Sequence, residues 1–439
     1  MEVVDVDVDH MRIANLIVTA LCLLLPGMAT AYTKDDDSRR AVSDGSYQDT
    51  NAALQYIHSK GQDDWVLVVG SPGTTYDWAS ALNVNTGRTL TIEGAGNCTA
   101  VERGACSSDT RPTINMSGGH EAFSVTATNG KLVRVTNFIL TNSTAPFAGI
   151  RIHGWSDRPS WRVDRVRFVN MAVRALVVGR PNSAAGGIGP YGLVDNCWFE
   201  STGAAHNGIY LWFGNDSNSW TTAHSFGTDK TIVVEDSTFN RTARTVAGKP
   251  AIDSAYNGVR WLMRYCTLNN WVAVLHGPDS APTSTLQVEF NHNTVRVDSV
   301  TDYVLHIRGG TGVATKNTIG IAGDASRAGY NAAWKMVRNG PCASGYPCFQ
   351  QVGRGSVNGA EGSVPWHFWD NTYELGGCCI GKIASSSSDV RENRDYLFVA
   401  KPGYAELKHP HPLTMRLGND SAPGAPANLR VTAAQEASR

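Results

Sequence analysis

The sequence lacks an excess of either charge. Its 38 lysines and arginines are balanced by 39 aspartates and glutamates, which leaves a formal net charge of −1. Nucleic-acid-binding proteins usually carry a basic surface that neutralises phosphates, so this balance argues against a nucleic-acid partner. The nine cysteines show no convincing zinc-binding spacing either. Charge and cysteine spacing therefore favour neither a nucleic-acid-binding protein nor a zinc protein.

Long apolar runs are also missing. The run Ile13–Leu25 is too short for a membrane-spanning helix. It follows a short basic start at Met11 and precedes small residues at 29–31, which is the pattern of a secretory signal. Residues 1–10 are acidic, unlike the start of such a signal, so we expect Met11 to be the true start. The pattern predicts a signal peptide within residues 1–31, a secreted protein and no membrane contact after signal removal.

One six-residue pattern recurs through the middle and the end of the chain. An apolar residue is followed by two polar residues, a small or amide residue, any residue and a second apolar residue. The copies are VTNFIL (135–140), VDRVRF (163–168), VDNCWF (194–199), VEDSTF (234–239), MRYCTL (263–268), FNHNTV (290–295), ATKNTI (314–319), FWDNTY (368–373) and, more weakly, VRENRD (390–395). A single copy would suit any strand, but a series at a period of tens of residues is typical of a solenoid. The longest gap, from Asn317 to Asn371, predicts two coils or one coil with a long loop.

The composition of the repeats indicates how each coil is built. They are rich in Val, Ile, Phe, Thr and Asn and show no helical periodicity, so they predict short strands joined by tight turns. Stacking such coils buries their inward residues. The fourth position would then form a ladder of Asn293, Asn317, Asn371 and, in the weak copy, Asn393, because Asn tolerates left-handed backbone and bonds to the coils above and below. The alternative is an ordinary β-sandwich, which needs no regular period of this length.

Each Asn turn is followed, after a loop, by a strand of the kind seen in FAGIRIHG (147–154) and AHNGIYLWFG (205–214). This combination resembles the pectate-lyase-like superfamily over most of residues 61–413. The resemblance implies an all-β fold, a right-handed single-stranded parallel β-helix (solenoid) with a short N-terminal capping helix. It is much less specific for activity, because that fold hosts lyases, hydrolases, esterases, epimerases and phage tailspikes.

Both ends of the coil region have their own signals. DTNAALQYIHSK (49–60) predicts one helix, capped by Asp49 or Thr50 and ended by Gly61. The proline-bearing segment 392–413 resembles a closing segment and predicts a non-repeating cap over the last coil. The domain plan is 1–31 signal peptide, 32–60 N-terminal cap, 61–417 parallel β-helix with C-terminal cap, and 418–439 linker and truncated start of a fibronectin type III-like module.

The cysteines left after signal removal are even in number, which in an exported chain predicts disulfides. The predicted bridges are Cys98–Cys106 and Cys342–Cys348. Cys197 and Cys266 share the turn position, but they lie two coils apart, about 9.6 Å, beyond the roughly 7 Å limit for a bridge. We therefore expect both to be buried, free residues. Cys378 and Cys379 receive no partner.

The resemblance places the active groove over the parallel sheet that follows the loop after each Asn turn. Its strands are GIRIHG (149–154), RALVVG (174–179), GIYLWFG (208–214), AIDSAYNG (251–258), VAVLHG (272–277), YVLHIRGG (303–310) and WKMVRNG (334–340). Strand side chains alternate between the two faces, and a register error of one residue would invert the assignment. The residues predicted to face outward are Arg151, His153, Tyr210, Trp212, Asp253, His276, His306, Arg308 and Lys335.

Such a face suits a long polar polymer such as a polysaccharide. Tyr210 and Trp212 offer rings for sugars to stack on, and Arg151 and His153 complete the predicted substrate-binding set. The remaining tryptophans near this face, at 155, 161, 220 and 271, line the rim or pack inside. We expect a monomer whose partner is a polysaccharide.

Two reactions compete for the catalytic residues. Elimination needs a cation that neutralises a uronate carboxylate, and Arg308 or Arg151 fits that role. It also needs a base for the proton on the adjacent carbon. The candidate bases are His276, His306, Lys335 and Tyr210.

Glycoside hydrolysis needs two carboxylates instead. Asp253 is the clearest of these on the predicted sheet, with Asp279 and Asp302 at strand edges and Asp216 or Glu361 in loops. Because outward acids are scarce, the sequence favours a lyase acting on an acidic polysaccharide. A glycoside hydrolase and a non-catalytic glycan-binding protein are the alternatives.

Signature motifs of particular activities are missing. The chain has no Asn-Thr-Asp, Gly-His-Gly and Arg-Ile-Lys set resembling polygalacturonases, no Trp-x-Asp-His of classical pectate lyases, no Asp-Pro-His of alginate epimerases and no Asp-Phe-x-x-Gly of pectin esterases. Calcium is common in related lyases, yet the predicted sheet carries no acidic cluster. Only the polar loop 214–219 suggests an ion, so calcium is the one cofactor considered and none is predicted firmly.

Overall fold

The computed structural model describes residues 32–416, apart from the segments listed next. These are 86, 103–104, 142–147, 181–188, 203–206, 214–219, 243–249, 256–257, 278–283, 298–302, 322–331, 338–347, 375–378 and 386–389. The predicted signal peptide, the polar loop 214–219 and the C-terminal linker lie outside the described residues. So do Cys342, Cys378, Asp216, Asp279 and Asp302.

The described chain is a stack of coils, each of which contributes one strand to each of three parallel sheets. Going along one coil, the chain passes through sheet 1, then sheet 2, then the Asn turn, then sheet 3. In each sheet a strand pairs in parallel with the equivalent strand of the next coil. This confirms the predicted all-β parallel β-helix.

The three sheets divide almost all of the strands among them. Sheet 1 comprises β5 (Leu82–Val84), β10 (Phe123–Thr128), the start of β13 (Ile150–Asp164), β15 (Arg174–Arg180), β18 (Asn207–Phe213), β21 (Ile252–Ala255), β24 (Ala273–Leu275), β27 (Leu305–Ile307), β30 (Ala332–Met336) and β35 (Cys379–Ser385). Sheet 2 comprises β2 (Arg40–Ser43), β3 (Trp65–Val69), β6 (Leu90–Gly94), β11 (Val133–Thr136), the end of β13, β16 (Pro190–Asp195), β19 (Ile232–Glu235), β22 (Arg260–Arg264), β25 (Gln287–Asn291), β28 (Thr311–Thr315), β33 (Trp366–Trp369) and β36 (Tyr396–Leu397). Sheet 3 comprises β4 (Thr75–Trp78), β9 (Thr113–Met116), β12 (Ile139–Thr141), β14 (Arg167–Val169), β17 (Trp198–Ser201), β20 (Thr238–Arg241), β23 (Thr267–Asn269), β26 (Thr294–Val297), β29 (Thr318–Ile321) and β34 (Thr372–Tyr373). Outside these lie β1 (Thr33–Asp35), the hairpins β7 (Cys98–Glu102) with β8 (Ala105–Asp109) and β31 (Arg354–Val357) with β32 (Ala360–Ser363), and the helices α1 (Tyr47–Lys60) and α2 (Pro412–Arg416).

The core lies inside the stack, where equivalent residues of successive coils meet. Phe168, Phe199 and Phe239 stack with ring centroids 4.8 and 4.3 Å apart. Burying such stacks of apolar side chains is the main stabilising term for coils too short to hold a core alone.

The Asn ladder is present at the turn between sheets 2 and 3. Oδ1 of Asn317 accepts hydrogen bonds from the backbone N and the Nδ2 of Asn293, at 2.9 and 3.1 Å. Oδ1 of Asn371 accepts the same pair from Asn317, at 3.1 and 2.9 Å. The backbone N of Cys266 donates to Oδ1 of Asn293 at 3.1 Å. The ladder therefore links four successive coils.

Two details of the repeat prediction were wrong. The left-handed backbone falls on the third residue of the pattern, as in His292 and Lys316 with φ of 56° and 55°, because the fourth residue turns its side chain along the stack. The ninth copy is not a coil turn, since β36 pairs with β33 in sheet 2 and Asn393 comes just before it. Asn393 therefore does not join the ladder.

The longest gap holds one coil with a long insertion. β28 pairs directly with β33, and β29 pairs directly with β34. The insertion contains the antiparallel hairpin of β31 and β32. Of the two predictions, one coil with a long loop is correct.

Helix α1 contacts the first strands of the stack, β2, β3 and β5, and buries Ala53, Leu54 and Ile57 in the core. Its N-cap is Ser46, upstream of the predicted Asp49 or Thr50, because the Ser46 side chain accepts a bond from the backbone N of Asp49. It ends at Gly61, with φ 66°, as predicted. Neither helix in the described part of the chain is long and apolar enough to cross a membrane.

The cysteines follow the predictions where the structure describes them. Cys98 and Cys106 form a disulfide that bridges the hairpin of β7 and β8. Cys197 and Cys266 are free and buried, with Ser237 on the coil between them. Cys348 also forms a disulfide, while its predicted partner lies outside the described residues.

Candidate functional site

The outer face of sheet 2 is covered between β16 and β33 by other parts of the chain. Residues 398–416, which we call the C-terminal strap, run back across it from β33 to β16. Nδ1 of His367 on β33 meets the carbonyl oxygen of Val399 at 3.1 Å, the Tyr404 hydroxyl donates to Glu289 on β25 at 2.8 Å, and Leu413 packs on Leu193 of β16. The predicted closing segment (392–413) therefore begins on the last coil, where β36 pairs with β33, and the strap then crosses several further coils.

The charges under the strap are satisfied by ion pairs. Arg162 contacts Asp195 at 2.9 Å, and Arg264 contacts Glu235 at 2.7 Å. Burial raises the pKa of Asp195 to about 6 and that of Glu289 to about 7. Because these groups are buried among their own partners, the described residues of sheet 2 under the strap offer no surface to a polymer.

Sheet 1 has the opposite character, since its register assembles the predicted site residues on one outer face. Seven successive strands form the first row, which contains Arg151, Val177, Tyr210, Asp253, Val274, His306 and Lys335. The second row lies two residues further along each strand and contains His153, Gly179, Trp212, Ala255, His276 and Arg308. His276 and Arg308 continue this row one residue past β24 and β27. The residues predicted to face outward are partly exposed, except Asp253, which is buried at 8% exposure.

The N-terminal end of the rows carries Arg151 and His153. Nη1 of Arg151 lies 3.8 Å from Oε1 of Glu121. Nε2 of His153 lies 3.4 and 3.3 Å from the hydroxyls of Ser124 and Thr126. Burial, together with Arg151, lowers the pKa of His153, so this ring is neutral at neutral pH and acts as a hydrogen-bonding group.

The centre of the rows carries the aromatic residues. Tyr210 and Trp212 are both partly exposed, as a stacking surface requires. The guanidinium of Arg174 lies 4.0 Å from the ring centroid of Tyr210. This cation–π contact holds the ring in place.

Asp253 and His276 form the closest pair of candidate residues. Nε2 of His276 lies 2.8 Å from Oδ1 of Asp253, and their side chains are 22% and 11% exposed. The contact is not aligned as a hydrogen bond, since Oδ1 of Asp253 has no such partner in the described part of the chain; catalytic contacts commonly tighten when substrate binds. Nδ2 of Asn207 donates to the other oxygen, Oδ2, at 3.0 Å.

His306, Arg308 and Lys335 follow on the next two coils. Nε of Arg308 donates to the carbonyl of Leu275 at 3.1 Å, which folds the guanidinium back towards the coil of His276. Nζ of Lys335 lies 4.5 Å from the ring centroid of Tyr303. All three candidate side chains are half-buried.

Spacing decides which candidates can act on one sugar. Neighbouring strands lie about 4.8 Å apart, so Arg308 is one coil from His276, about 5 Å. Arg151 is four coils away, about 19 Å on the same spacing. Asp253 is the one carboxylate in the described parts of the two rows, and the ring of His276 and the amide of Asn207 contact it. Of the loop acids, Glu361 accepts bonds from Arg354 and the backbone of Gln350 in the β31–β32 insertion.

The predicted rim tryptophans separate into two groups. Trp161, Trp220 and Trp271 are buried, whereas Trp155 is 39% exposed. Packing therefore accounts for the first three.

One group of possible metal ligands occurs among the described residues. It consists of Glu235, Asp236 and His409, whose ligand atoms lie within 4.8 Å of one another. It sits under the strap and not on the two rows, and the guanidinium of Arg264 already contacts Glu235. A divalent cation there would face that fixed positive charge, so the donors fit a metal poorly.

The sequence predictions missed three residues of this face: Asn207, Arg174 and Tyr303. Each contacts a predicted residue from another strand or from the approach to the same strand. Asn207 lies directly before the predicted strand GIYLWFG (208–214). A polar amide at the start of this strand could have identified it as a candidate residue. The contacts of Arg174 and Tyr303 depend on side-chain conformation, which the repeat pattern does not encode.

Comparisons with known proteins give little further information. No family profile and no curated protein matches the chain. Among solved structures, the chain is similar to the alginate lyase from Paenibacillus sp. str. FPU-7, with 10% identity, a TM-score of 0.37, and coverage of 81% of this chain and 95% of that one. A likeness this distant supports no conclusion about family or activity.

Proposed function

We propose that this protein is a secreted lyase that cleaves an acidic, uronate-containing polysaccharide by β-elimination. The observation that carries the proposal is the grouping of His276, His306, Arg308 and Lys335 on three neighbouring coils beside a single carboxylate, Asp253. A base and cations are what elimination requires. A glycosidase would need two carboxylates about 5 to 9.5 Å apart, and the described rows provide one.

The roles follow from the spacing. Arg308, one coil from His276, neutralises the substrate carboxylate and so makes the proton on the adjacent carbon more acidic. His276 accepts that proton. Asp253, in contact with Nε2 of His276, orients the ring and stabilises the imidazolium that forms. Arg151 is too distant for this sugar and binds a carboxylate further along the chain.

The elimination step balances without a co-reactant. The proton on the carbon next to the carboxylate moves to His276, and the electron pair of that bond forms a carbon–carbon double bond. The bond from the neighbouring carbon to the glycosidic oxygen breaks. That oxygen takes a proton supplied by His306, one coil away, and the product carries an unsaturated sugar at its new end.

Stacking on Tyr210 and Trp212 positions the chain on the N-terminal side of this group. The Cys98–Cys106 disulfide supports export, because disulfides persist in oxidising compartments. Calcium remains a proposal for this enzyme, to be tested by assaying activity with and without a chelator.

The test uses the chain from residue 32 onwards on a panel of polyuronates and neutral glucans. Reducing ends and the ultraviolet absorbance of an unsaturated uronate are recorded together. We expect both to rise on at least one polyuronate. Reducing ends without absorbance would establish hydrolysis and refute the proposal, as would retention on a glycan column without any cleavage.

Substitutions then locate the chemistry. We expect His276→Ala and Arg308→Ala each to lower kcat roughly 100- to 10,000-fold, the usual effect of losing a general base or a charge stabiliser. His120→Ala and Arg158→Ala are the matched controls, because both side chains are exposed and lie outside the two rows. Equal activity of the site variants and their controls would place the chemistry elsewhere.

A further inference from the structure

Asn207 is a buried residue at the start of β18, 5% exposed. Its Nδ2 donates to Oδ2 of Asp253 on β21 at 3.0 Å, while Oδ1 of the same carboxylate lies 2.8 Å from Nε2 of His276. Three residues on three successive coils are therefore linked through one carboxylate. None of the contacts is local in sequence.

The chemistry of Asn207 suits the control of a charged neighbour. An amide donates a hydrogen bond but carries no charge. It can therefore fix the rotation of the Asp253 carboxylate without neutralising it, which an Arg at this place would do. The full negative charge stays available to the protonated ring of His276.

We propose that Asn207 is a positioning residue for the His276 base. By holding Oδ2 of Asp253, it keeps Oδ1 turned towards Nε2 of His276, and so fixes the rotation of the His276 ring. We call the linked residues Asn207, Asp253 and His276 the relay. Its effect on turnover rests on the proposed lyase function, whereas its effect on the orientation of the His276 ring does not.

The first test compares Asn207→Ala and Asn207→Asp with the wild-type enzyme. The Asp variant keeps the volume of the side chain but replaces the donor with an acceptor, so the test does not depend on how the Ala variant folds. Loss of a hydrogen bond to a charged group corresponds to a fall in kcat of roughly 10- to 100-fold, with KM changed less than about twofold. Asn240→Ala, on the outer face of sheet 3, is the control.

A purely structural role would give a different pattern. The denaturation midpoint would fall while kcat, measured well below that midpoint, stayed at the wild-type value. That result in both Asn207 variants would overturn the proposal.

The second test needs no activity. The ring nitrogens of His276 are observed by NMR in protein labelled at histidine and assigned with His276→Ala. We expect the signals in Asn207→Ala and Asn207→Asp to move in the direction seen for Asp253→Asn. Signals that move in Asp253→Asn but stay at their wild-type positions in both Asn207 variants would refute the relay.

The two tests separate the two proposals. If no polyuronate is cleaved but the His276 signals respond to the Asn207 variants, the lyase function fails and the geometric relay stands. If a polyuronate is cleaved and the Asn207 variants match the Asn240→Ala control in both tests, the lyase function stands and the relay fails.

Discussion

Removing one side chain from the Asn ladder should destabilise the whole stack. Asn317 is fully buried. Its Oδ1 accepts the backbone N of Asn293 at 2.9 Å, and its Nδ2 donates to the carbonyl of Phe290 at 2.8 Å and to Oδ1 of Asn371 at 2.9 Å. Asn317→Ala deletes these bonds but keeps the bond that its own backbone N makes with Asn371.

The expected loss of stability follows from the backbone groups that lose their hydrogen-bond partner. The backbone N of Asn293 and the carbonyl of Phe290 lose a buried partner, and each such loss costs about 1 to 3 kcal/mol. Taking the lower half of that range, we expect the free energy of unfolding to fall by about 3 kcal/mol. The entropy of unfolding of a chain of roughly 400 residues is about 0.8 kcal/mol per kelvin. The melting temperature should therefore fall by about 4 °C.

The assay is thermal unfolding followed by circular dichroism, with Asn240→Ala as the control. Asn240 is a half-buried Asn in β20 of sheet 3, away from the ladder, and its loss should change the unfolding free energy by no more than about 0.5 kcal/mol. If the two variants melted within about 1 °C of each other, the buried amide network would contribute no more than an ordinary surface Asn. The argument from unsatisfied backbone groups would then be wrong.

Three further outcomes are expected. Burial raises the pKa of Glu289 from 4.5 to about 7, so between these two pH values the folded chain holds more protons than the unfolded chain, and its stability falls as the pH rises. Glu289→Gln should abolish this fall in stability, measured as denaturant midpoints across the same pH range. An unchanged fall would show that Glu289 is not its cause. Removing the Cys98–Cys106 disulfide, which bridges residues 8 apart, by the double substitution Cys98→Ser and Cys106→Ser should lower the free energy of unfolding by about 2.5 kcal/mol in the loop-entropy account. Substitution is used because a reductant would also cleave the disulfide of Cys348; no change in the denaturation midpoint would count against that account. Trp212→Ala should raise KM for a polyuronate roughly tenfold and leave kcat nearly unchanged, because stacking stabilises the bound substrate and the transition state equally. A tenfold fall in kcat would instead show that Trp212 stabilises mainly the transition state.

The strands and turns of each coil are well predicted from the sequence, because they depend on a short local pattern that is repeated along the chain. The spacing of the six-residue pattern identifies the turn between sheets 2 and 3, and strand alternation then orients Tyr210, Asp253 and His306 outward. Their placement in one row required only that equivalent strands pair in parallel. For the same reason the separation of Cys197 and Cys266 by one intervening coil was predictable.

The pairing of residues between coils was less predictable. Asp253 and His276 meet across the neighbouring strands β21 and β24, and Asn207 reaches Asp253 from β18 on the other side. Such contacts depend on side-chain rotation, which the repeat pattern does not contain. The C-terminal strap follows the same logic: His411 bonds to Glu235 across 176 residues, and nothing in the repeat marks that partner.

The strap also determines how the stack would respond to a mechanical load. Its helix α2 rests near β16, and the chain between Arg416 and Val399 crosses the coils in the reverse of their order in the sequence. A pull at Arg416 would lift Leu413 first, then the bond between His411 and Glu235, and only later the contact of Tyr404 with Glu289. The load would reach β36 after every strap contact had opened, one at a time. Under such a load the strap contacts would therefore break one after another before any coil begins to unwind.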